Sequence, residues 1–104
     1  MTATDLTESN VQADIVNYLR TAGWHVSVFS QDRKTRAQLA GWPDVVAFRR
    51  GVTLLCECKR PGGKRRIKQV QFANALKPHL WSTLLYVCAE GVADVARVCG
   101  DSCI

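Results

Sequence analysis

Apolar residues recur along this chain first at the spacing of a helix and then at that of strands. Val11, Ile15, Leu19 and Ala22 share one face of a helix expected over residues 7 to 22, because side chains three and four apart stack on one side of a helix. Thr7 or Asp5 is placed to cap it and Gly23 to stop it. From residue 24 to 30 the period shortens to two: Trp24, Val26 and Val28 alternate with His25, Ser27 and Phe29, as on a strand. Residues 31 to 41 are polar and basic and read as an exposed loop. Two more strands follow at 44 to 48 and 52 to 58, joined by Arg49, Arg50 and Gly51 as a hairpin. A turn through Pro61, Gly62 and Gly63 leads to a helix at 67 to 77, a strand at 82 to 88 and a short helix at 92 to 99 that ends at Gly100.

The order helix, three antiparallel strands, helix, strand, helix predicts an α/β fold with a mixed sheet flanked by helices. The strand, helix, strand unit from 52 to 88 is long enough for a right-handed parallel crossover, which makes 52 to 58 a central strand. With 104 residues and no repeat, low-complexity tract or linker, residues 1 to 104 are expected to form one domain.

Composition narrows the field. The chain is 47% apolar and 22% charged, a globular balance. Its net charge of +5 and pI near 9.2 suit a polyanionic partner such as nucleic acid, and equally a merely soluble basic protein. No stretch reaches the roughly 20 apolar residues of a membrane-spanning helix. The opening MTATDLTESN has neither the basic start nor the apolar run of a secretory signal, so a cytoplasmic location is expected. Five cysteines, at 56, 58, 88, 99 and 103, are odd in number and include no CxxC pair. They read as reduced core residues rather than a disulfide framework or a zinc site.

One stretch breaks the hydrophobic pattern. GWPDVVAFRRGVTLLCECK, residues 41 to 59, carries Asp44, Glu57 and Lys59 in two strands that ought to be buried. Residues two apart on a strand share a face, so Glu57 and Lys59 project together while Cys56 and Cys58 lie behind. A hairpin in simple register about Arg50 and Gly51 brings Asp44 beside the end of the second strand, and the two carboxylates converge. Taken singly, Glu-x-Lys is an ordinary ion pair on a solvated face and Asp44 a turn residue after Pro43; together they form a much rarer conjunction. Buried carboxylates are costly when unpaired and repel each other when adjacent, and a divalent cation removes both objections. Mg²⁺, with Mn²⁺ as a substitute, takes carboxylate and backbone oxygens, which makes Asp44, Glu57 and the backbone carbonyl of Cys58 a candidate ligand set. Lys59 is placed to orient an attacking water and to offset charge on a phosphate.

The stretch WPDVVAFRRGVTLLCECK resembles the PD-(D/E)xK nuclease signature, and its surroundings resemble the virus-type replication-repair nuclease (VRR-NUC) branch of that superfamily. The likeness runs from residue 7 to 88: a first helix with an early Glu in TESNVQADIVNYLRTAGWHV, then Gly41, Trp42 and Pro43 before the Asp, then a Gln within IKQVQFANAL. It implies a restriction-endonuclease-like α-β-β-β-α-β core, followed here by the short C-terminal helix. It also implies Asp44, Glu57 and Lys59 as catalytic residues, with Asp44 and Glu57 as metal ligands, and Glu8 approaching the metal directly or through water. Glu8 stands on the inward stripe of its helix with Val11 and Ile15, although an acidic residue there also complements the helix dipole. Gln69, which shares a face with Phe72, Ala73 and Leu76, is the first choice for the family glutamine. Gln71, about 160 degrees away around an α-helix, is the alternative.

Arg60, Lys64, Arg65, Arg66 and Lys68 follow the second acidic strand, and Arg33, Lys34 and Arg36 precede Asp44. Flanking one site, such cations neutralise phosphates without reading bases. No recognition helix or zinc finger is evident, so selection by DNA shape is expected. Resemblance to stand-alone family members implies a structure-selective, Mg²⁺-dependent DNA endonuclease whose foremost substrate is the four-way Holliday junction, with a homodimer supplying the second site. Two alternatives stand beside it: a flap- or end-processing repair nuclease working as a monomer, and a DNA-binding module with a nuclease-like fold and no catalysis. Trp42, Trp81 and Phe48 are candidates for an interface or the core, and His25 and His79 for the surface or packing.

Overall fold

The structure, a computed structural model, describes residues 7–29 and 40–100. Helix α1 spans Glu8–Thr21. Thr7 is its N-cap: Oγ1 accepts the Asn10 N–H at 3.1 Å, satisfying one of the first-turn donors that have no partner inside the helix. Asp5, the other candidate cap, lies outside the described residues. Val11, Ile15, Val16 and Leu19 are buried beneath α1, Ala22 is the C-cap, and Gly23 turns the chain with a φ of +90°.

Four strands, β1 His25–Val28, β2 Val45–Arg49, β3 Val52–Cys58 and β4 Leu84–Ala89, make one sheet in that spatial order. β1 with β2 and β2 with β3 are antiparallel, and β3 with β4 is parallel. Helix α2, Ile67–Leu76, lies between β3 and β4 in the chain, and α3, Val92–Cys99, follows β4. The described residues thus form a small α/β structure with a mixed four-stranded sheet and three α-helices, and β3 is an inner strand. The β2–β3 hairpin closes with Arg49 opposite Val52, leaving Arg50 and Gly51 as a two-residue turn with φ of 49° and 79°. Two consecutive left-handed residues are what a primed hairpin turn uses to match the twist of its strands.

Element ends differ from the sequence expectation for local reasons. The strand expected at 24 to 30 is confined to β1, with Trp24 just before it and Ser30 outside the described residues. β2 begins one residue late, yet the Phe29 N–H still bonds the Asp44 carbonyl at 3.1 Å, so backbone pairing reaches Asp44. α2 stops at Leu76 and gives way to a 3-10 turn at Lys77–His79, because Pro78 has no amide with which to continue a helix. β4 begins at Leu84 rather than residue 82: Trp81 and Leu84 bond each other's backbones at 3.0 and 3.1 Å, and Ser82 and Thr83 become a tight turn.

The core lies on one side of the sheet. Val45, Ala47, Leu54, Cys56, Cys58, Val87 and Ala89 cluster with the buried side of α1 and with Val95 of α3. α3 packs on β4 and on α1, so the short last helix covers the sheet. Every residue of β3 from Leu54 to Cys58 is buried, as expected of a strand flanked on both edges. α2 buries none of its residues. It is held through the loop before β2: Trp42 meets Phe72 with ring centroids 5.2 Å apart, and Gly41, at φ +89°, sits so close to the Lys68 carbonyl that a Cβ there would overlap it.

Candidate active site

The β2–β3 register pairs Val45 with Cys56, and one step further puts Asp44 opposite Glu57, on the face turned away from Cys56 and Cys58. Asp44 Oδ2 accepts the Cys58 N–H at 2.9 Å, which ties the start of β2 to the end of β3. The Lys59 N–H bonds the Ala89 carbonyl at 2.9 Å and so extends the β3–β4 ladder one residue past the strand. That fixes where the Lys59 side chain leaves the sheet. The N-terminus of α1 reaches the same corner, with Glu8 Oε1 3.3 Å from Lys59 Nζ. Among the described residues, the buried charged side chains are Glu57, 1% exposed, and Lys59, 6% exposed.

Burial raises the pKa of Asp44 by stripping water from its carboxylate. The Cys58 N–H opposes this, the carboxylates of Glu8 and Glu57 add to it, and the Lys59 ammonium works against it. The carboxylates of Glu8 on α1 and Glu57 on β3 therefore act on Asp44 just before β2, with Lys59 as the neighbouring cation.

Glu57 has further company that the sequence did not flag. Its Oε2 accepts the Tyr86 hydroxyl at 2.8 Å and lies 3.6 Å from Arg65 Nε, and an Arg65 terminal nitrogen donates to the Tyr86 hydroxyl at 2.9 Å. Oε1 is buried and has no hydrogen-bond partner, a state that costs about 1–3 kcal/mol when nothing else occupies the space. Burial and the bond to Glu57 push the Tyr86 phenol up. The only signal for Tyr86 in the sequence is its outward place in the alternation LLYVCA. Its meeting with Glu57 follows from the parallel register, in which Leu55 pairs with Tyr86 and Glu57 with Cys88.

The other candidates are distributed differently. Gln69 turns to its own helix: its Oε1 accepts the Arg66 N–H at 2.7 Å at the start of α2, and this bond, not a contact with the carboxylates, is its partner. Gln71 is exposed. Arg60, Lys64, Arg66 and Lys68 are exposed on the segment after β3, whereas Arg65 reaches back to Glu57. Arg33, Lys34 and Arg36 lie outside the described residues. Trp42, Phe48 and Trp81 are all exposed, and His25, also exposed, stacks on Phe48 with ring centroids 6.5 Å apart. His79 is exposed as well. Cys56, Cys58 and Cys88 are free thiols, and Cys103 lies outside the described residues. The sulfurs of Cys56 and Cys58 are 4.0 Å apart in the core. Contact with Cys58 and burial push the Cys56 thiol up, which marks an inert core cysteine.

Among the described residues, no group of three or more His, Cys, Asp and Glu side chains is arranged as a ready metal cage. What the corner offers is a pair of facing carboxylates with one buried, unpartnered oxygen. That donor set suits a hard cation such as Mg²⁺, which needs only one or two carboxylates and keeps water or phosphate oxygens in its other positions. No model of a known protein family matches the sequence, and no curated protein matches it either. Among the described residues, no helix is long and apolar enough to cross a membrane.

Proposed function

We propose that this chain is a metal-dependent endonuclease acting on DNA, with Mg²⁺, or Mn²⁺ in its place, held by Asp44, Glu57 and the Cys58 carbonyl. The observation that carries this reading is the pairing of Asp44 with Glu57 across β2 and β3, with Glu57 Oε1 buried and unpartnered. The order α1-β1-β2-β3-α2-β4 and the resemblance around Pro43-Asp44 and Glu57-Cys58-Lys59 support a restriction-endonuclease-like core of the VRR-NUC kind. When bound, the cation polarises the scissile phosphate and acidifies a coordinated water.

The chain's own residues do the rest. The Cys58 N–H fixes the Asp44 carboxylate at the strand end. Glu8 holds the Lys59 ammonium at the same corner, where it balances charge on a phosphate and orients the attacking water. Gln69 steadies the start of α2, next to the exposed cations Arg60, Lys64, Arg66 and Lys68 that track the phosphate backbone. Such contacts read shape rather than bases. The substrate we favour is branched DNA, the four-way junction foremost, cut by a twofold homodimer that brings one site to each of two strands.

The test is cleavage of a labelled four-way junction beside flap, duplex and single-strand controls in Mg²⁺, Mn²⁺ or EDTA. The expected result is paired symmetric cuts, lost in EDTA and lost in Asp44→Ala, Glu57→Ala and Lys59→Ala while DNA binding persists. Full activity in Glu57→Ala overturns the assignment, and cutting of flaps alone moves the protein to end processing. A second reading, a DNA-binding module without chemistry, draws on the absence of a three-ligand cage among the described residues. It requires equal binding in EDTA and Mg²⁺ and no cutting in either metal.

A further inference from the structure

The Tyr86 hydroxyl sits between two partners of opposite kind. A guanidinium has only donors to offer, a carboxylate only acceptors, and a phenol one proton to give. Arg65 donating to Tyr86 at 2.9 Å and Tyr86 donating to Glu57 Oε2 at 2.8 Å therefore form a chain with a single direction. The position of the hydroxyl is set by the sheet, since its ring is rigid and its strand is paired in register with β3. The Glu57 side chain is long and rotatable, and its carboxylate gains a fixed direction when one oxygen is gripped. The grip is on Oε2, and Oε1 is the oxygen left buried without a partner.

We propose that Tyr86 is a positioning residue for the metal site: by occupying Glu57 Oε2 it leaves Oε1 alone to coordinate and fixes where that oxygen points, while Arg65 steadies the phenol. The proposal rests on the metal-site reading given above. Groups that orient a metal ligand from behind typically contribute roughly 10–100-fold in metal affinity.

The experiment is a Mn²⁺ titration of the whole protein without DNA, followed by the electron paramagnetic resonance of free Mn²⁺, for wild type, Tyr86→Phe, Arg65→Ala and Glu57→Gln. Thermal unfolding without metal and the Mn²⁺ dependence of cleavage accompany it. Tyr86→Phe keeps the ring and removes only the hydroxyl. It is expected to weaken Mn²⁺ binding roughly 10-fold or more, with cleavage recovering at saturating Mn²⁺, a pattern that lowered stability does not produce while the metal-free variant stays folded at the assay temperature. Arg65→Ala is expected to shift affinity less, in the same direction, and Glu57→Gln to abolish binding. Equal Mn²⁺ affinity in wild type and Tyr86→Phe, with Glu57→Gln still deficient, overturns the role of Tyr86 and leaves the site standing. No Mn²⁺ binding by wild type overturns both. If Tyr86→Phe does not fold, Arg65→Ala decides the matter: weakened affinity supports the proposal and unchanged affinity overturns it.

Discussion

At Asp44, burial and two neighbouring carboxylates act in one direction and hold its pKa above the ordinary 3.8. A carboxyl group that ionises less readily in the folded chain than in the unfolded one favours folding while protonated. Its contribution is fully present below the unfolded value and is lost as pH rises through the folded one. Asp44→Asn removes that loss. Without metal, the variant should therefore unfold at a higher temperature than wild type at pH 7, with the gap narrowing as pH falls toward 3.8. Equal midpoints at pH 7 count against a carboxylate under strain. Added Mg²⁺ should shrink or reverse the gap, because a ligand that binds only the native protein stabilises the chain with the intact site. Asp44, Glu57 and Lys59 were legible in the sequence because charge inside an apolar strand pattern is conspicuous. Tyr86 was not, since an outward aromatic on a strand is ordinary and its encounter with Glu57 depends on a parallel register that no local pattern encodes. The partner of Gln69 was hidden for a related reason: Arg66 is not among the usual N-cap residues, so nothing marked the bond at that helix start in advance.

At the scale of elements, hydrophobic period gave the helices and strands, and particular residues moved their ends. Pro78 cut α2 short, and the Trp81–Leu84 turn delayed β4. The attachment of α2 was also invisible in its own periodicity, because it depends on Gly41, far away in the chain. Gly41 and Gly62 separate two effects. Both have positive φ, but a Cβ at Gly62 meets nothing within 4 Å, whereas one at Gly41 runs into the Lys68 carbonyl. Gly62→Ala should lose about 1 kcal/mol from backbone conformation alone. Gly41→Ala should lose clearly more, measured by chemical denaturation of the two variants side by side. Equal losses would mean that α2 moves aside freely and that the Gly41 contact does not anchor it.

At the scale of the molecule, a net charge of +5 goes with the exposed cations Arg60, Lys64, Arg66 and Lys68 on one short segment after β3, where the proposed DNA would lie. Affinity for DNA should fall steeply with salt, as displaced counterions require. Replacing Lys64 and Arg66 together by Ala should flatten the slope of log K against log salt by about 2, near 1 for each lost phosphate contact. An unchanged slope would place DNA elsewhere on the surface. The candidate site has one more property, set by where its parts lie in the chain. Glu8, Asp44, Glu57 and Tyr86 come from α1, the approach to β2, the end of β3 and β4, and they are joined only when distant segments have paid the entropy of closing long loops. A nascent chain still short of β4, or a fragment cut before Tyr86 or after Glu8, lacks part of the constellation. For the proposed nuclease, synthesis order would then act as a safety catch, with the Tyr86 grip on Glu57 in place only once β4 has docked.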